Sequence, residues 1–551
     1  MGSTSGPETS GPGGPGGSPA GDPSAGDSRD PYARDLVSAP TLWELIEARA
    51  RRSGERLMLL DEAGTRVSFG RFRDRAERVA AALHAAGIGP GSRVAWQLPT
   101  RVSTYLVMAA LARLGAVQAP IIPLYREREV TAAVSAAQAQ VMLVPGRWRG
   151  IDYEAMAAGL RLGGLGRPRV IVVDETAPES DDLAALPPPP ADPGQVRWVY
   201  FTSGSTGLPK GVRHADRGLL LAGHGFTLHG RLGERPDEMA AIAVPIAHVG
   251  GVQFLIALLT GGFPAVLIEV FDPARNAEVL RRHAVTMSGG STALYGALLA
   301  EQRARGDDRL LPALRLLKGG GAPCPAHLFH AVRAEMGVTI AHDYGMTEVP
   351  MICVSSPGDA EEALAETEGR PIPGVRLRIA GPDRPVPAGE EGEVEVSGPV
   401  VFGGYTDPVA TAAAFTPDGW FRTGDWGRLR PDGHVELTGR LKDMIIRKGE
   451  NIAPVEIEEL LTGHPRIAEA AVIGLPDAER GERVCAVISA PPGVRPPTLS
   501  EIGDHLAEAG LMIQKFPEQV EVLDGLPRTG LGKPAKAELR ERFSGEPSER
   551  T

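Results

Sequence analysis

The chain has 551 residues and a formal net charge of −11 at pH 7. That length exceeds what one hydrophobic core supports, so we expect two or more domains. An acidic chain lacks the basic surface that nucleic acid or an anionic membrane requires, which favours a small-molecule partner. The cysteines Cys324, Cys353 and Cys485 are scattered without metal-ligand spacing, which favours a reducing, cytoplasmic location.

The amino-terminal residues 1–35 are mostly glycine, proline, serine and acidic residues. They bury too little apolar surface to offset the entropy of ordering, so we predict a disordered tail. No apolar segment typical of a secretory signal is present there. The most membrane-like stretch, residues 254–270, is interrupted by Gly261, Gly262 and Pro264. We therefore predict a buried helix, a turn and a buried strand, and no membrane span.

From Thr41 onward the pattern becomes globular, and helices alternate with strands. Thr41 and Glu44 have the spacing of a capping box that opens a helix. This alternation argues for parallel strands covered by helices. We predict further helices over residues 70–86, 104–114 and 130–139, and strands over residues 92–97, 117–122, 141–144 and 169–173.

A loop of serine, threonine and glycine follows an apolar run over residues 196–201 that predicts a buried strand. Glycines let backbone N–H groups approach a ligand, hydroxyls add donors, and Lys210 adds a mobile cation, a combination that suits a polyphosphate. The loop is not a P-loop, because Pro209 stands five positions after Gly204, where that motif requires glycine. The residues expected to contact phosphate are Thr202, Ser203, Gly204, Ser205, Thr206, Gly207 and Lys210.

Beyond this loop the alternation continues to about residue 341 and then changes. Short alternating runs rich in proline and glycine predict a smaller antiparallel or barrel-like β region. A compact α+β region follows from residue 440. The predicted segments are a helix at 218–228, strands at 240–244, 375–379, 392–396, 434–437 and 468–473, and helices at 454–461 and 499–509.

Four further stretches carry groups that suit the same ligand. Residues 318–323 form a glycine run against which a flat ring can lie. Residues 343–348 supply an aromatic ring, a hydroxyl and a carboxylate. Asp425 follows a glycine and suits a ribose diol, and Lys533 lies on a glycine-rich turn. Each stretch alone is weak, since an ordinary structural role explains it equally well.

Together, and in this order, these stretches resemble the adenylate-forming superfamily of acyl- and aryl-CoA synthetases, peptide-synthetase adenylation domains and luciferases. The resemblance covers residues 41–543. Residues 119–130 are most similar to the medium-chain and alicyclic carboxylate–CoA ligases. The motifs that carry the resemblance are Thr202–Gly211, Tyr344–Glu348, Gly419–Asp425, Gly439–Asp443 and Gly530–Lys533.

The resemblance implies an α/β fold in three parts. After the tail (1–35), a large amino-terminal domain (36–439) would hold two helix-covered sheets and a small β-barrel-like region. A small, mobile α+β domain (440–551) would follow and carry Lys533.

The resemblance also assigns a role to each matching residue. The phosphate loop would wrap the β- and γ-phosphates of ATP, and Lys442 would lie at the hinge between the domains. Thr347 would contact the α-phosphate, and Glu348 would hold Mg²⁺. The adenine slot would comprise Gly320, Gly321, Ala322, Pro323, Asp343, Tyr344 and Gly345, the ribose would meet Asp425 and Arg440, and the implied catalytic set is Lys533, Glu348, Thr347 and Thr202.

The need for a lysine such as Lys533 also follows from elementary electrostatics. A carboxylate that attacks an α-phosphate brings two anions together, and the transition state adds charge. A cation between them, with Mg²⁺, offsets this repulsion. No general base is required, because a carboxylate is already ionised at neutral pH.

The acid pocket is expected around His248, at a position where related synthetases carry an aromatic residue or histidine. A buried core histidine explains His248 equally well, and we expect His214 to be structural. The usual Gly-x-Pro-Thr motif near the acyl pocket appears here as residues 288–292, without the proline and with an added glycine. With Gly250 and Gly251 opposite, this favours a roomy pocket rather than one fitted to acetate. The predicted pocket residues are His248, Val249, Gly250, Gly289, Gly290 and Gly320.

Three functions remain open from the sequence. The first is a carboxylic acid–CoA ligase with ATP, Mg²⁺ and coenzyme A, because residues 447–458 are similar to the synthetase segment in which Gly449 lies along the pantetheine path. The second is a stand-alone acyl-AMP ligase that loads a carrier-protein phosphopantetheine. The third is a nucleotide-binding regulatory module without turnover, against which the intact Lys533, Glu348 and Asp425 argue. The oligomeric state, monomer or homodimer, also remains open.

Overall fold

The structure is a computed structural model, and it describes most of the chain. Residues 3–33 of the predicted tail lie outside the described residues, as do several short internal segments. The described ranges are 1–2, 34–62, 64–162, 166–203, 209–306, 309–321, 324–381, 384–441, 443–447, 450–477, 481–509, 511, 513–529 and 532–544.

The first part of the chain alternates helices and strands, as predicted. Thr41 caps the first long helix, since its Oγ1 accepts from the backbone N–H of Glu44 at 3.3 Å. Each predicted helix and strand up to residue 173 is present, with its ends within three residues of the prediction. The elements are α1 (Arg34–Val37), α2 (Leu42–Ser53), β1 (Leu57–Leu60), β2 (Arg66–Ser68), α3 (Phe69–Ala85), β3 (Arg93–Trp96), α4 (Val102–Leu114), β4 (Val117–Pro120), α5 (Glu127–Ala137), β5 (Val141–Val144), β6 (Arg147–Trp148), β7 (Ile151–Asp152), α6 (Tyr153–Gly159) and β8 (Arg169–Val172).

The middle of the chain continues the alternation. The membrane-like stretch is confirmed as a buried helix, a turn at Gly262 and a buried strand. Of the helices in the described ranges, none is long and apolar enough to cross a membrane. The elements are β9 (Val196–Ser203), β10 (Pro209–Ala215), α7 (Asp216–His229), β11 (Ala240–Ile242), α8 (Val249–Gly261), β12 (Ala265–Leu267), α9 (Pro273–Arg282), β13 (Met287–Gly289), α10 (Thr292–Arg305), β14 (Leu316–Gly320), α11 (Ala326–Met336), β15 (Thr339–Tyr344), β16 (Cys353–Val354), α12 (Glu361–Glu366) and β17 (Arg370–Pro371).

The last part of the chain is richer in strands. The predicted boundary at residue 440 coincides with the end of a strand. The elements are β18 (Arg376–Ala380), β19 (Glu391–Ser397), α13 (Pro408–Ala414), β20 (Phe421–Leu429), β21 (Val435–Arg440), β22 (Ile445–Arg447), β23 (Glu450–Ile452), α14 (Pro454–Thr462), β24 (Glu469–Asp477), β25 (Gly481–Ser489), α15 (Leu499–Glu508), β26 (Gln519–Val522) and α16 (Lys536–Phe543).

Within the part of the chain that the structure describes, these strands form two large sheets and three smaller ones. One large sheet has the order β17-β16-β15-β14-β13-β11-β12-β1-β2, and its inner strands from β15 to β1 run parallel. The other has the order β10-β9-β4-β3-β5-β8. Strands β18 to β21 form an antiparallel sheet, so the β-rich region takes the antiparallel alternative. Strands β22 to β26 form a separate sheet, and β6 pairs with β7.

The carboxyl ends of the parallel strands place the predicted site. Strand β13 ends at Gly289, β14 at Gly320 and β15 at Tyr344, and all three adjoin predicted ligand residues. Crevices at this edge of an open α/β sheet are where such folds bind ligands. The glycine run and residues 343–348 therefore lie at one edge of this sheet, whereas the phosphate motif lies on β9 and β10 of the other large sheet.

Candidate active site

The two ends of the predicted phosphate-contacting motif lie on paired antiparallel strands, β9 and β10. Lys210 on β10 is the register partner of Thr202 on β9. Gly204, Ser205, Thr206 and Gly207 lie outside the described residues, and of Ser203 only the backbone, at the end of β9, is described. The hairpin fixes both ends of the loop, so Thr202 and Lys210 lie beside each other.

Gly211, the last residue of the motif, is in close contact with the segment that contains Thr406. A Cβ atom at Gly211 would lie 2.7 Å from Cγ2 of Thr406. The backbone N–H of Thr406 donates to the Gly211 carbonyl at 2.8 Å. Only glycine allows this close approach, which brings residues 403–406 alongside the phosphate strand.

The predicted ribose residues form a connected polar group. The Tyr344 hydroxyl donates to Asp425 Oδ2 at 2.7 Å. Arg440 Nε lies 2.8 Å from Asp425 Oδ1, and the two residues are register partners on β20 and β21. Asp425 is buried, whereas the Arg440 side chain is 44% exposed. The structure thus brings together an aromatic ring, a carboxylate and a guanidinium at one point.

Glu348 and Thr347 follow β15, and each accepts a hydrogen bond from a side chain of another segment. Glu348 Oε1 accepts from the Tyr405 hydroxyl at 2.7 Å, and burial raises the pKa of Glu348. The Thr347 carbonyl accepts from Nε2 of His214 at 2.7 Å. Burial lowers the pKa of His214 to about 4, so its ring is neutral and Nε2 carries the proton. His214 is therefore a structural residue that ties β10 to the Thr347 loop.

Glu348 fits Mg²⁺ only in the presence of further ligands. No cluster of three or more histidine, cysteine, aspartate or glutamate side chains suited to a metal occurs in the described ranges. Mg²⁺ commonly takes one or two carboxylates together with substrate phosphates and water. A single buried carboxylate beside a phosphate-binding hairpin has that chemistry.

The predicted adenine slot is built from close backbone contacts. Gly320 is the register partner of Asp343, and a Cβ atom at Gly320 would collide with the Asp343 carbonyl. A Cβ atom at Gly345 would likewise collide with the Pro350 carbonyl. Gly321 has a φ of 92°, which favours glycine. Ala322 and Pro323 lie outside the described residues.

The side chain of Asp343 is engaged in a buried ion pair. Lys318 Nζ lies 2.5 Å from Asp343 Oδ1 and also donates to the Ser355 carbonyl at 2.6 Å. The backbone N–H of Ser355 donates to the same carboxylate oxygen at 3.1 Å. Burial raises the pKa of Asp343 to about 6, although Lys318 opposes this shift. Lys318 and Ser355 both contact Oδ1, and Oδ2 has no hydrogen-bond partner among the described residues.

His248 lies at the predicted acid pocket, and a charge from the carboxyl-terminal part of the chain acts on it. It caps α8, and its Nδ1 accepts from the backbone N–H of Gly250 at 3.2 Å. Burial, and then the charge of Lys533, lower the pKa of His248 to about 4. The neutral ring therefore carries its proton on Nε2, and the charge of Lys533 acts on this ring. Val249 begins α8 and is buried.

Neighbouring side chains pack closely against two of the predicted pocket glycines. A Cβ atom at Gly289 would collide with the ring of Phe254 from α8. At Gly290 it would lie 2.8 Å from Cδ1 of Leu294. The glycines allow the neighbouring side chains to pack closely, and the expectation of a roomy acid pocket stays a prediction.

The lysine segment at the carboxyl terminus is anchored by ion pairs. Arg540 Nη2 lies 3.0 Å from Asp443 Oδ1, next to the predicted hinge. Lys536 Nζ lies 2.7 Å from Glu458 Oε1 on α14. The predicted hinge and pantetheine residues, Lys442 and Gly449, lie outside the described residues.

Two residues of the site went unpredicted from the sequence. Tyr405 follows two glycines in a segment without a recognisable ligand motif, and its approach to Glu348 depends on long-range strand pairing. The sequence predicted Lys318 only as the first residue of the glycine run, and its ion pair with Asp343 was not predicted. A charged residue inside an apolar strand was the available signal for Lys318.

Comparison with known proteins agrees with this geometry. The family model described as AMP-binding enzyme matches residues 46–406, and that of the AMP-binding enzyme C-terminal domain matches residues 456–533. A salicyl-AMP ligase / salicyl-S-ArCP synthetase of Mycobacterium tuberculosis is 34% identical, over 90% of this chain and 89% of its own length. A feruloyl-CoA synthase of an Amycolatopsis species is also 34% identical, over 90% of this chain and 98% of its own length.

A solved structure supports the same relationship. ATP-bound MatB from Rhodopseudomonas palustris superimposes with a TM-score of 0.81 and 28% identity. The match covers 91% of this chain and 98% of that protein. The shared fold therefore extends over nearly the whole described chain.

Proposed function

The chain belongs to the AMP-binding enzyme family of adenylate-forming acid ligases, and from this premise we propose that it is a carboxylic acid–CoA ligase. The observation that supports the proposal is that the charge of Lys533 acts on His248, which lies at the predicted acid pocket. A lysine at this point lies where an acid and an α-phosphate would approach each other.

The proposed reaction has two steps. In the first, a carboxylate oxygen of the acid attacks the α-phosphorus of ATP, and pyrophosphate leaves. Lys533 offsets the charge that develops between the two anions. In the second, the sulfur of the CoA thiol attacks the acyl carbon, its proton is lost to solvent, and AMP leaves. The products are acyl-CoA and AMP.

In this proposal different residues of the site bind different parts of ATP. Thr202 and Lys210 would hold the β- and γ-phosphates, and Thr347 the α-phosphate. Asp425 and Arg440 would bind the ribose hydroxyls, against the Tyr344 ring. Mg²⁺, held by Glu348 and the phosphates, would neutralise charge on the triphosphate.

The thiol acceptor is the finer part of the proposal. Feruloyl-CoA synthase is named for a CoA product, whereas the salicyl-AMP ligase is named for a carrier-bound one. The similarity of residues 447–458 to acyl-CoA synthetases supports free CoA. A carrier-protein phosphopantetheine is the alternative acceptor.

A two-stage assay tests the proposal. Pyrophosphate release is measured with Mg²⁺ and ATP over a panel of hydroxybenzoic, hydroxycinnamic, medium-chain and alicyclic acids. The active acid is then offered free CoA or a phosphopantetheinylated aryl carrier protein, and thioester is detected by mass spectrometry. Rapid formation of acyl-CoA is the expected result.

The remaining outcomes contradict the proposal in distinct ways. Acylation of the carrier alone would identify an acyl-AMP ligase and exclude the CoA ligase. If no acid in the panel elicited pyrophosphate release, the ligase proposal would be abandoned in favour of a nucleotide-binding module without turnover.

A further inference from the structure

Tyr405 lies between the two charged residues that the proposed function assigns to the triphosphate end of ATP. One is Lys210 on β10, and the other is Glu348 after β15. Nothing in the sequence motifs assigns Tyr405 a role. Its contacts nevertheless connect both residues.

The segment around Tyr405 forms backbone hydrogen bonds to β10 at several points. The Arg213 N–H donates to the Gly404 carbonyl at 3.0 Å, and the Gly403 N–H donates to the Arg213 carbonyl at 2.8 Å. Tyr405 itself forms an antiparallel bridge with Val212. The backbone of Tyr405 is thereby fixed relative to the strand that carries Lys210.

The same segment holds Glu348 at two points. The Phe402 N–H donates to the Glu348 carbonyl at 2.9 Å. The Tyr405 hydroxyl donates to Glu348 Oε1 at 2.7 Å. One contact fixes the backbone of Glu348, and the other fixes the plane of its carboxylate.

The ring of Tyr405 is held independently of its hydroxyl. Its centroid lies 4.8 Å from that of Phe402, in an edge-on arrangement. On the other side, Lys210 Nζ lies 6.0 Å from the ring centroid, within the range of a cation–π contact. The ring therefore faces the phosphate-binding cation while the hydroxyl holds the carboxylate.

We propose that Tyr405 is a positioning residue that holds the Glu348 carboxylate at a fixed place relative to Lys210, so that one triphosphate with its Mg²⁺ meets both. The inference rests on the proposed function, which assigns Lys210 and Glu348 to ATP and its metal. A bound cation benefits from a carboxylate whose orientation is set before binding, because less freedom is lost on binding. In this proposal the hydroxyl orients the carboxylate that binds the metal, and the ring contacts the ammonium of Lys210.

Calorimetric binding of ATP in excess Mg²⁺ and in EDTA separates these two contributions. The ratio of the two affinities defines the magnesium gain. We expect Tyr405→Phe to reduce the magnesium gain about tenfold, as for loss of a hydrogen bond to a charged group. Affinity in EDTA should stay within about twofold of wild type, because the ring remains.

A second variant and a matched control complete the test. Tyr405→Leu removes the ring as well, so it should also weaken ATP binding in EDTA by about threefold. Tyr153→Phe is the control, since Tyr153 is a buried tyrosine whose hydroxyl donates to the Pro123 carbonyl at 2.9 Å. We expect it to change neither affinity.

A double-mutant cycle decides whether Tyr405 acts through Glu348. In a Glu348→Gln background, Tyr405→Phe should cause no further loss of the magnesium gain. Three outcomes would overturn the proposal. Tyr405→Phe could reduce the magnesium gain equally in the wild-type and Glu348→Gln backgrounds, or it could leave the magnesium gain unchanged. It could also weaken ATP binding equally in Mg²⁺ and in EDTA. Because ATP binding needs no acid, the result stays interpretable even if acid-dependent pyrophosphate release is never found.

Discussion

Lys533 is the residue on which the chemical step of the proposed reaction depends. Its charge reaches His248, although the two residues lie far apart in the sequence. We expect Lys533→Ala to raise the barrier to acyl-adenylate formation by on the order of 2–4 kcal/mol, as for removal of one preorganised charge-stabilising group. Thioester formation from supplied acyl-AMP should be retained, because no second anion then approaches the phosphate. Pyrophosphate release and thioester formation are measured separately.

Lys536 provides the matched control for this variant. It lies three positions further along the chain, and its ammonium is already paired with Glu458 at 2.7 Å. Lys536→Ala removes the same charge from the same segment, and the adenylation rate should stay within about threefold of wild type, because the Lys536 ammonium is engaged with Glu458 and not with the reacting anions. If Lys533→Ala slowed both half-reactions equally, the assigned role of Lys533 would be wrong.

The residues of the site differ in how far the sequence could predict them. Lys210 and Asp425 lie in motifs whose composition matches their ligands, and the structure places both near the predicted partners. Tyr405 could not be predicted, because its hydroxyl meets Glu348 only after β10 pairs with a segment nearly 200 residues later. The close packing of Phe254 against Gly289 could not be predicted either, because it depends on how α8 packs on β13. Contacts between distant segments carry no local signature.

The Lys318–Asp343 pair joins neighbouring strands β14 and β15 in the interior of the large sheet. Both side chains are almost fully buried. Removing one partner leaves the other charge buried without compensation, which costs roughly 3–5 kcal/mol. We therefore expect Lys318→Met to lower the free energy of unfolding by about that amount, measured by urea titration at pH 7.5. Lys318→Met combined with Asp343→Leu should recover much of the loss, because no buried charge remains.

An exposed pair on the helices that cover this sheet serves as the control. Arg303 on α10 lies 2.6 Å from Glu335 on α11, and its side chain is 58% exposed. Pairs of this kind contribute less than about 1 kcal/mol, so Arg303→Ala should change stability little. If the double variant at positions 318 and 343 were as unstable as Lys318→Met alone, uncompensated charge could not be the cause.

Elements were predictable where apolar periodicity is strong and local. Strand β5 was predicted with both ends correct, and α3 within one residue at each end. Strand β10 was missed, because Pro209, Lys210 and Gly211 give no strand pattern. It forms because its backbone pairs with β9 along its whole length. Pairing of this kind is a tertiary contribution that overrides local propensity.

On the scale of the whole molecule, the carboxyl-terminal region has apolar clusters of its own. One cluster includes Ile445, Leu461 and Val484, and a second includes Ile473 and Leu539. The large cluster of the preceding region contains none of them. Separate cores are what domain rotation requires, because the two parts can move without exposing either interior. This supports the prediction of a mobile carboxyl-terminal domain.

The stability of the molecule in acid depends partly on buried histidines of the large region. Burial lowers the pKa of His224 to about 4, and its Nδ1 lies 2.9 Å from the Thr260 hydroxyl. In the unfolded chain an ordinary histidine has a pKa near 6.5. Between these two values the unfolded chain binds a proton that the folded chain does not, so acid shifts the equilibrium toward unfolding. The contribution is complete above about pH 6.5 and is lost progressively as the pH falls towards 4.

Buried acids such as Asp343, whose pKa is raised, make the folded chain relatively more stable as the pH falls, which is opposite to the effect of His224. Comparing wild type with His224→Asn cancels the effect of these acids, because both proteins contain them. Between pH 7.5 and pH 5, the free energy of unfolding of wild type should fall by about 2 kcal/mol relative to the variant, since one pKa unit corresponds to about 1.4 kcal/mol. Urea titrations at half-unit pH intervals measure the difference. Thr227→Val is the control, because it removes a buried, non-titrating hydroxyl from the same helix, one that donates to the Gly223 carbonyl at 2.6 Å. The loss in free energy of unfolding caused by Thr227→Val should be the same at every pH. If the difference between wild type and His224→Asn were equally independent of pH, His224 would be protonated to the same extent in the folded and unfolded chains, and the prediction would be wrong.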